Sequence, residues 1–268
     1  MSASRPLQLV LCWHMHQPQY CDLISGEYKL PWSYLHATKD YVDMAAHLEA
    51  VPGARAVVNF APVLLEQIDD YAAQVRGYLH EHKALRDPLL AALVEPVLPA
   101  HPERRLELIN NCLRVNRERV IDRFPAYQRL VKLVEPFRDN LSDLIYISDQ
   151  FLSDLVFWYH LGWIGETVRR NDLRMQRWQE QGSNFALHDR RELLVLIGDL
   201  FNLWIGRAWY ERPHHRDTPS PSCRRRPTGE HPSKDGPPPG TPHNPTRPPR
   251  KPEPPCRRGW TPWPRAPG

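Results

Sequence analysis

Apolar positions alternate along Leu7–His16. Leu7, Leu9, Leu11, Trp13 and Met15 fall on one side, and Val10, Cys12, His14 and His16 on the other. Both sides are largely apolar as far as Trp13, the pattern of a strand buried on two faces of a parallel sheet. Pro18 ends it. From Tyr20 to Tyr34 the text is rich in aromatic and turn residues, including Gly26, Pro31 and Trp32, and predicts a loop. The period then becomes helical: Tyr41, Met44, Ala45 and Leu48 share a face, and Pro52-Gly53 stops that helix. Arg55–Phe60 predicts a second short strand. Pro62 suits the first position of the next helix, where its missing N–H would be unpaired anyway. Leu64, Leu65, Ile68, Tyr71, Ala72 and Val75 continue that helix on one face.

From there to Leu203 the apolar repeats are all helical. The clearest are Leu85/Leu89/Leu93, Leu106/Ile109/Leu113/Val120, Tyr127/Leu130/Val131/Val134 and Leu193/Leu194/Ile197/Leu200. Leu144–Ile164 is apolar nearly all round and predicts one buried helix. Strand, loop, helix, strand, helix is the opening of an α/β fold with parallel strands, and a helical insertion over about residues 80–203 follows it.

Composition divides the chain. Its 268 residues carry a net charge of +4, but residues 1–212 sum to −3 and residues 213–268 to +7. The last 56 residues hold 18 of the 29 prolines and no Leu, Ile, Val, Met, Phe or Tyr. Such a segment cannot bury enough apolar surface to offset chain entropy. The expected division is a body over 1–205 and a disordered Pro/Arg-rich tail over 206–268. The abrupt change of text at that boundary is what a shifted reading frame in GC-rich DNA produces. The alternative is a basic linker, with PxxP at Pro245–Pro248 and Pro249–Pro252. The tail's charge would give salt-sensitive, non-specific contact with nucleic acid and no specific binding. No window approaches the ~20 apolar residues of a membrane span, and the start lacks a signal-peptide cleavage site. Five cysteines, odd in number and without CxxC spacing, imply free thiols and a cytoplasmic chain rather than a disulfide frame or zinc knuckle. No defined protein partner is indicated.

The candidate chemistry is His14-Met-His16-Gln17-Pro18, at the end of the first strand. Side chains two apart on a strand point the same way, and the carboxyl ends of parallel strands are where α/β folds place ligands. Two imidazoles and an amide there would hydrogen-bond sugar hydroxyls. They could equally hold a divalent metal in a metal-dependent hydrolase, or be buried histidines satisfied by the backbone. A metal site needs further ligands from later strand ends, and the sequence offers none.

LCWHMHQPQY, YKLPWSYLHATKDYVDMAAHLE and VVNFAPVLLEQIDDY together resemble the N-terminal region of glycoside hydrolase family 57, whose first motif contains HQP. Ser148–Arg170 and Asp189–Leu200 are similar to the helical region of its amylase-like members, so the resemblance spans roughly residues 6–203. It implies the N-terminal part of an incomplete (β/α)7 barrel with a large helical insertion. It also implies retaining chemistry on α-glucans or maltooligosaccharides, as in α-amylases and 4-α-glucanotransferases, with no cofactor and no metal. His14, His16, Gln17 and Trp32 are the substrate-binding residues it suggests.

Retaining hydrolysis needs two carboxyl groups about 5–5.5 Å apart, which the family supplies from later strand ends. After Leu203 this sequence has no counterpart of those motifs, so no catalytic residue is assigned and the chain is expected to be inactive. Trp163-Ile-Gly-Glu166 resembles a Trp-x-x-Glu nucleophile motif only superficially, since it lies in a helical block. Glu66, Asp69 and Asp70 read as a solvated helix face, and Asp22 and Glu27 as loop residues without partners. A residual carbohydrate-binding or interaction module is the alternative function.

Overall fold

A computed structural model of the chain describes residues 9–95 and 99–202. The expected tail lies outside them. Two short strands, β1 (Cys12–Met15) and β2 (Val57–Phe60), pair in parallel with Cys12 opposite Val57 and His14 opposite Asn59. Between them lie α1 (Trp32–Thr38) and α2 (Asp40–Ala50). The long α3 (Pro62–Glu81) follows, with Pro62 at its first turn. Then come α4 (Pro88–Val94), α5 (Pro102–Leu113), a π-type turn at Arg117–Ile121 and α6 (Pro125–Val134). Two 3₁₀ segments, Glu135–Asp139 and Leu141–Tyr146, lead into α7 (Asp149–Gly162), α8 (Glu166–Asn171), α9 (Leu173–Gln181) and α10 (Leu187–Asn202). The described chain is thus a mostly helical α/β structure with one small parallel sheet.

Three expectations need correction. The expected loop ends early: Trp32–Tyr34 belong to a helix, Trp32–Thr38, that begins directly after Pro31. Leu144–Ile164 is not one helix: the backbone is extended at Ile147 and Ser148, and the Ser148 hydroxyl starts α7 afresh by accepting from the Phe151 N–H, which has no carbonyl partner in the first turn. The first strand is not buried on both faces. Met15 is in the core, but Leu9 and Val10 are 82% and 72% exposed. Among the described residues the sheet has no third strand, so nothing there covers that apolar surface.

The core centres on α7, which packs against α4, α5 and α6. All eleven of its residues from Leu152 to Gly162 are buried. Phe157 stacks on Phe185 at 3.8 Å between ring centroids and meets Trp178 edge-on at 5.4 Å. Trp158 donates its indole N–H to the Gly182 carbonyl at 2.8 Å. Asp154, buried in the same helix, accepts from the amides of Asn184 and Phe185 at 2.8 and 2.9 Å. That fixes the turn into α10, where Asn184 takes a left-handed φ of 58°.

Buried polar pairs tie the loop and α1 to this body. Tyr71 donates to Asp87 at 2.7 Å, and Asp87 in turn caps α4 by accepting from the amides of Leu89 and Leu90. Tyr34 donates to His160 Nε2 at 3.0 Å, while His160 Nδ1–H donates to the Val156 carbonyl at 2.8 Å. Both partners of each pair are buried, so each hydrogen bond replaces one that water would otherwise make.

Gly165, the residue before α8, lies tightly against the start of α2. Its N–H donates to the Thr38 carbonyl at 3.0 Å, and the Asp43 carboxylate caps α8 through the amides of Glu166 and Thr167. A Cβ at Gly165 would stand 2.9 Å from Asp43 Oδ1 and 3.0 Å from the Lys39 carbonyl oxygen. Gly165→Ala is therefore expected to destabilise the fold by about 1–3 kcal/mol, read from the midpoint of urea unfolding. An unchanged midpoint would contradict this contact.

Candidate functional site

β1 delivers His14 near its carboxyl end, and His16 follows one residue beyond the strand. The alternation of strand side chains puts both imidazoles on one side, where their rings stack at 5.7 Å with 13° between planes. His14 Nδ1 lies 2.7 Å from Asn59 Oδ1, directly across the parallel ladder. An amide oxygen only accepts, so this bond puts the His14 proton on Nδ1 and leaves Nε2 as an acceptor in the neutral ring. Both histidines are exposed, which sets aside the reading of buried, backbone-satisfied side chains.

Gln17 is held from two sides. Its amide N–H donates to Tyr41 Oη at 3.4 Å, and its Oε1 accepts from the Tyr20 hydroxyl at 3.0 Å. Beyond the Pro18 turn, Gln67 of α3 anchors the chain: its amide N–H donates to the Pro18 carbonyl at 2.9 Å and its Oε1 accepts from the Tyr20 N–H at 3.0 Å. Burial raises the hydroxyls of Tyr20 and Tyr41 above their ordinary pKa, so both remain neutral hydrogen-bonding groups at physiological pH.

Among the described residues no ring contact joins Trp32 to His14 or His16. It begins α1, half-buried, with its ring 6.4 Å from His36 and 5.9 Å from Trp163. The link to Gln17 runs through His36 and Tyr41, whose rings are 6.3 Å apart. The structure thus brings His14, His16 and Asn59 together, joins Gln17 to Tyr20 and Tyr41, and places Trp32 at the far end of the same belt. Among the described residues no three His, Cys, Asp or Glu side chains converge as a metal cage.

Of the carboxylates weighed from the sequence, Glu166, Asp70, Asp22 and Glu27 are engaged in contacts of their own. Glu166 forms ion pairs with Arg123 at 2.7 Å, Arg170 at 2.6 Å and also Arg169. Asp70 is not part of a solvated face as expected, since it pairs with Arg86 and accepts from Tyr28 and Gln74 at 2.8 Å. Glu66 and Asp69 are exposed on α3. Asp22 and Glu27 do have partners: Asp22 caps a turn at Ile24 and Ser25, and Glu27 pairs with Lys29 at 2.6 Å.

The sequence profile of glycosyl hydrolase family 57 matches residues 10–200, spanning both strands and nearly all the helices. The chain belongs to glycosyl hydrolase family 57. No curated protein and no solved structure matches it. Membership makes it a glycoside hydrolase family protein with carbohydrate as its class of substrate. In a family 57 chain, the exposed imidazoles and the clamped Gln17 amide are groups suited to sugar hydroxyls, each of which both donates and accepts. No described helix is long and apolar enough to cross a membrane.

Tyr20, Tyr41 and Asn59 were not singled out from the sequence. Asn59, a lone polar residue in the otherwise apolar Val57–Phe60 run, was the one signal available for them.

Proposed function

We propose that these 268 residues bind an α-glucan or maltooligosaccharide at the carboxyl end of β1 and do not cleave it. The observation that supports this reading is the arrangement of His14, His16 and Gln17. Two stacked, exposed imidazoles are followed in the chain by an amide whose orientation is fixed by Tyr20 and Tyr41. Fixed donors and acceptors at the end of a parallel strand are the equipment for orienting a sugar. In this reading the parent enzyme is α-amylase-like or 4-α-glucanotransferase-like and uses a retaining mechanism. β1 and β2 are then the first strands of its incomplete (β/α)7 barrel, and α4 to α10 belong to the helical insertion. The partner carboxylates that retaining hydrolysis requires are absent from the motifs of this chain, which favours binding without turnover.

Calorimetric titration with maltoheptaose tests the binding. The expected result is micromolar affinity, weakened at least tenfold by Gln17→Ala. Because Gln17 is only half-buried, that variant should keep its unfolding midpoint. No heat from maltoheptaose under conditions where the chain is folded would overturn the proposal.

A further inference from the structure

Glu166, the acid of the Trp-x-x-Glu pattern, gathers three arginines. Its Oε2 accepts from Arg123 at 2.7 Å and from Arg169, and its Oε1 accepts from Arg170 at 2.6 Å. Arg169 and Arg170 share α8 with Glu166, whereas Arg123 comes from the turn just before α6. Two of the guanidiniums also approach one buried aromatic ring. Arg169 Cζ lies 5.3 Å and Arg123 Cζ 5.9 Å from the centre of Phe124.

One carboxylate cannot balance three cations, so two positive charges remain in excess. Neighbouring acids do not cancel them. Asp43 is committed to the amides of Glu166 and Thr167, and counting it still leaves one charge over. Asp122 pairs with Arg117. Burial, followed by the charges of Arg123 and Arg170, pushes the Arg169 guanidinium below its ordinary pKa. Stability alone does not account for such crowding, because exposed ion pairs contribute little. Arg123 and Arg170 are 42% and 74% exposed. Among the described residues each guanidinium hydrogen-bonds only Glu166, which leaves most of its N–H donors to solvent or a ligand.

The complement of this excess is a compact dianion with several acceptor oxygens. A phosphoryl group has that chemistry, with close to two negative charges near neutral pH and oxygens that planar guanidinium forks grip in pairs. A second carboxylate would supply only one charge.

We propose that Arg123, Arg169 and Arg170 form a phosphate-binding site, with Glu166 as the resident counter-ion that holds them together while phosphate is absent. This site does not depend on the glucan reading. By bridging Arg123 to α8, bound phosphate ties the start of α6 to that helix.

The test titrates the full chain calorimetrically with inorganic phosphate at slightly alkaline pH and low ionic strength, with sodium chloride at equal ionic strength as the control. Saturable binding is expected for phosphate and none for chloride. Arg123→Gln and Arg170→Gln should each weaken it at least fivefold, and Arg170→Gln should leave the unfolding midpoint unchanged. Glu166→Gln has the opposite expected sign: loss of the resident charge should tighten phosphate binding at least threefold, a gain that a purely structural ion-pair cluster would not show. Urea unfolding gives a second reading, since phosphate should raise the midpoint and raise it more in Glu166→Gln. Competition by α-glucose 1-phosphate assigns the site to phosphate monoesters, and its failure to compete assigns the site to the free ion. Absence of saturable phosphate heat would overturn the proposal. So would an affinity indifferent to Arg123→Gln and Arg170→Gln, or weaker binding by folded Glu166→Gln.

Discussion

Phe157→Ala is expected to cost about 3–5 kcal/mol of folding stability, the range for deleting a buried aromatic ring. Phe157 lies in the most buried helix, stacked on Phe185 at 3.8 Å and edge-on to Trp178. Truncation therefore removes two ring contacts and leaves a cavity between α7, α9 and the turn before α10. A domain of this size has about 5–15 kcal/mol in total, so the variant should stand near the edge of unfolding at room temperature. Equilibrium urea unfolding, followed by far-UV circular dichroism, measures the difference. Leu133→Ala is the matched control: Leu133 lies on the open side of α6, 61% exposed, and its loss should stay within about 0.5 kcal/mol. A cost below about 1 kcal/mol for Phe157→Ala would mean that α7 is not the centre of the core.

The second large effect is a pH dependence hidden by cancellation. Burial holds the His160 imidazole down at about pKa 4 from its ordinary 6.5. Between these values the unfolded chain binds the proton and the folded one does not, so this residue makes stability rise as pH rises from about 4 to 6.5. Burial pushes the Asp87 carboxyl up to about 6 from 3.8, against the hydrogen bonds from Tyr71, Leu90 and Leu89 that favour its charged form. Here the folded state holds the proton longer, and stability falls as pH rises from 3.8 through 6. Each residue is worth about 3 kcal/mol over its window at about 1.4 kcal/mol per pKa unit, with opposite sign.

The unchanged chain should therefore show little net slope from this pair. His160→Gln leaves Asp87 alone, and relative to the unchanged chain its stability should fall by about 3 kcal/mol from pH 4 to pH 6.5. Asp87→Asn keeps a cap for α4 and leaves His160 alone, so its relative stability should rise by about as much over the same range. Taking differences between variants at each pH removes the contributions of all other groups and any constant packing loss. Urea unfolding at several pH values measures this. Parallel curves for all three proteins would contradict the burial of these two side chains.

How much of this could be read in advance depended on whether the controlling interaction was local. Period-two alternation placed β1, and Pro62 placed the start of α3, because strand alternation and a missing N–H act within a few residues. The His14–His16 pair followed from the same alternation. Trp32–Thr38 escaped because Gly26, Pro31 and a run of aromatics read as loop, whereas its helix is held by Tyr34 reaching His160, 126 residues away. The break before α7 was legible in Ser148-Asp149, a capping signal that the apolar run on either side masked. The exposure of Leu9 and Val10 was not legible at all: apolar residues state what a strand needs covered, not what lies against it. The clamp on Gln17 depends on Tyr41, 24 residues on, and the His14 partner Asn59 lies 45 residues on. Local pattern carries no information about the first, and about the second only that Asn59 is polar within an apolar run.

The most direct measurement is the release of new reducing ends when the purified chain is incubated with amylose at neutral pH. None is expected above a protein-free blank over many hours, from the same preparation that binds maltoheptaose. Steady release, proportional to protein and lost in His16→Ala, would contradict it, since a working pair of carboxylates would then have to lie within these 268 residues.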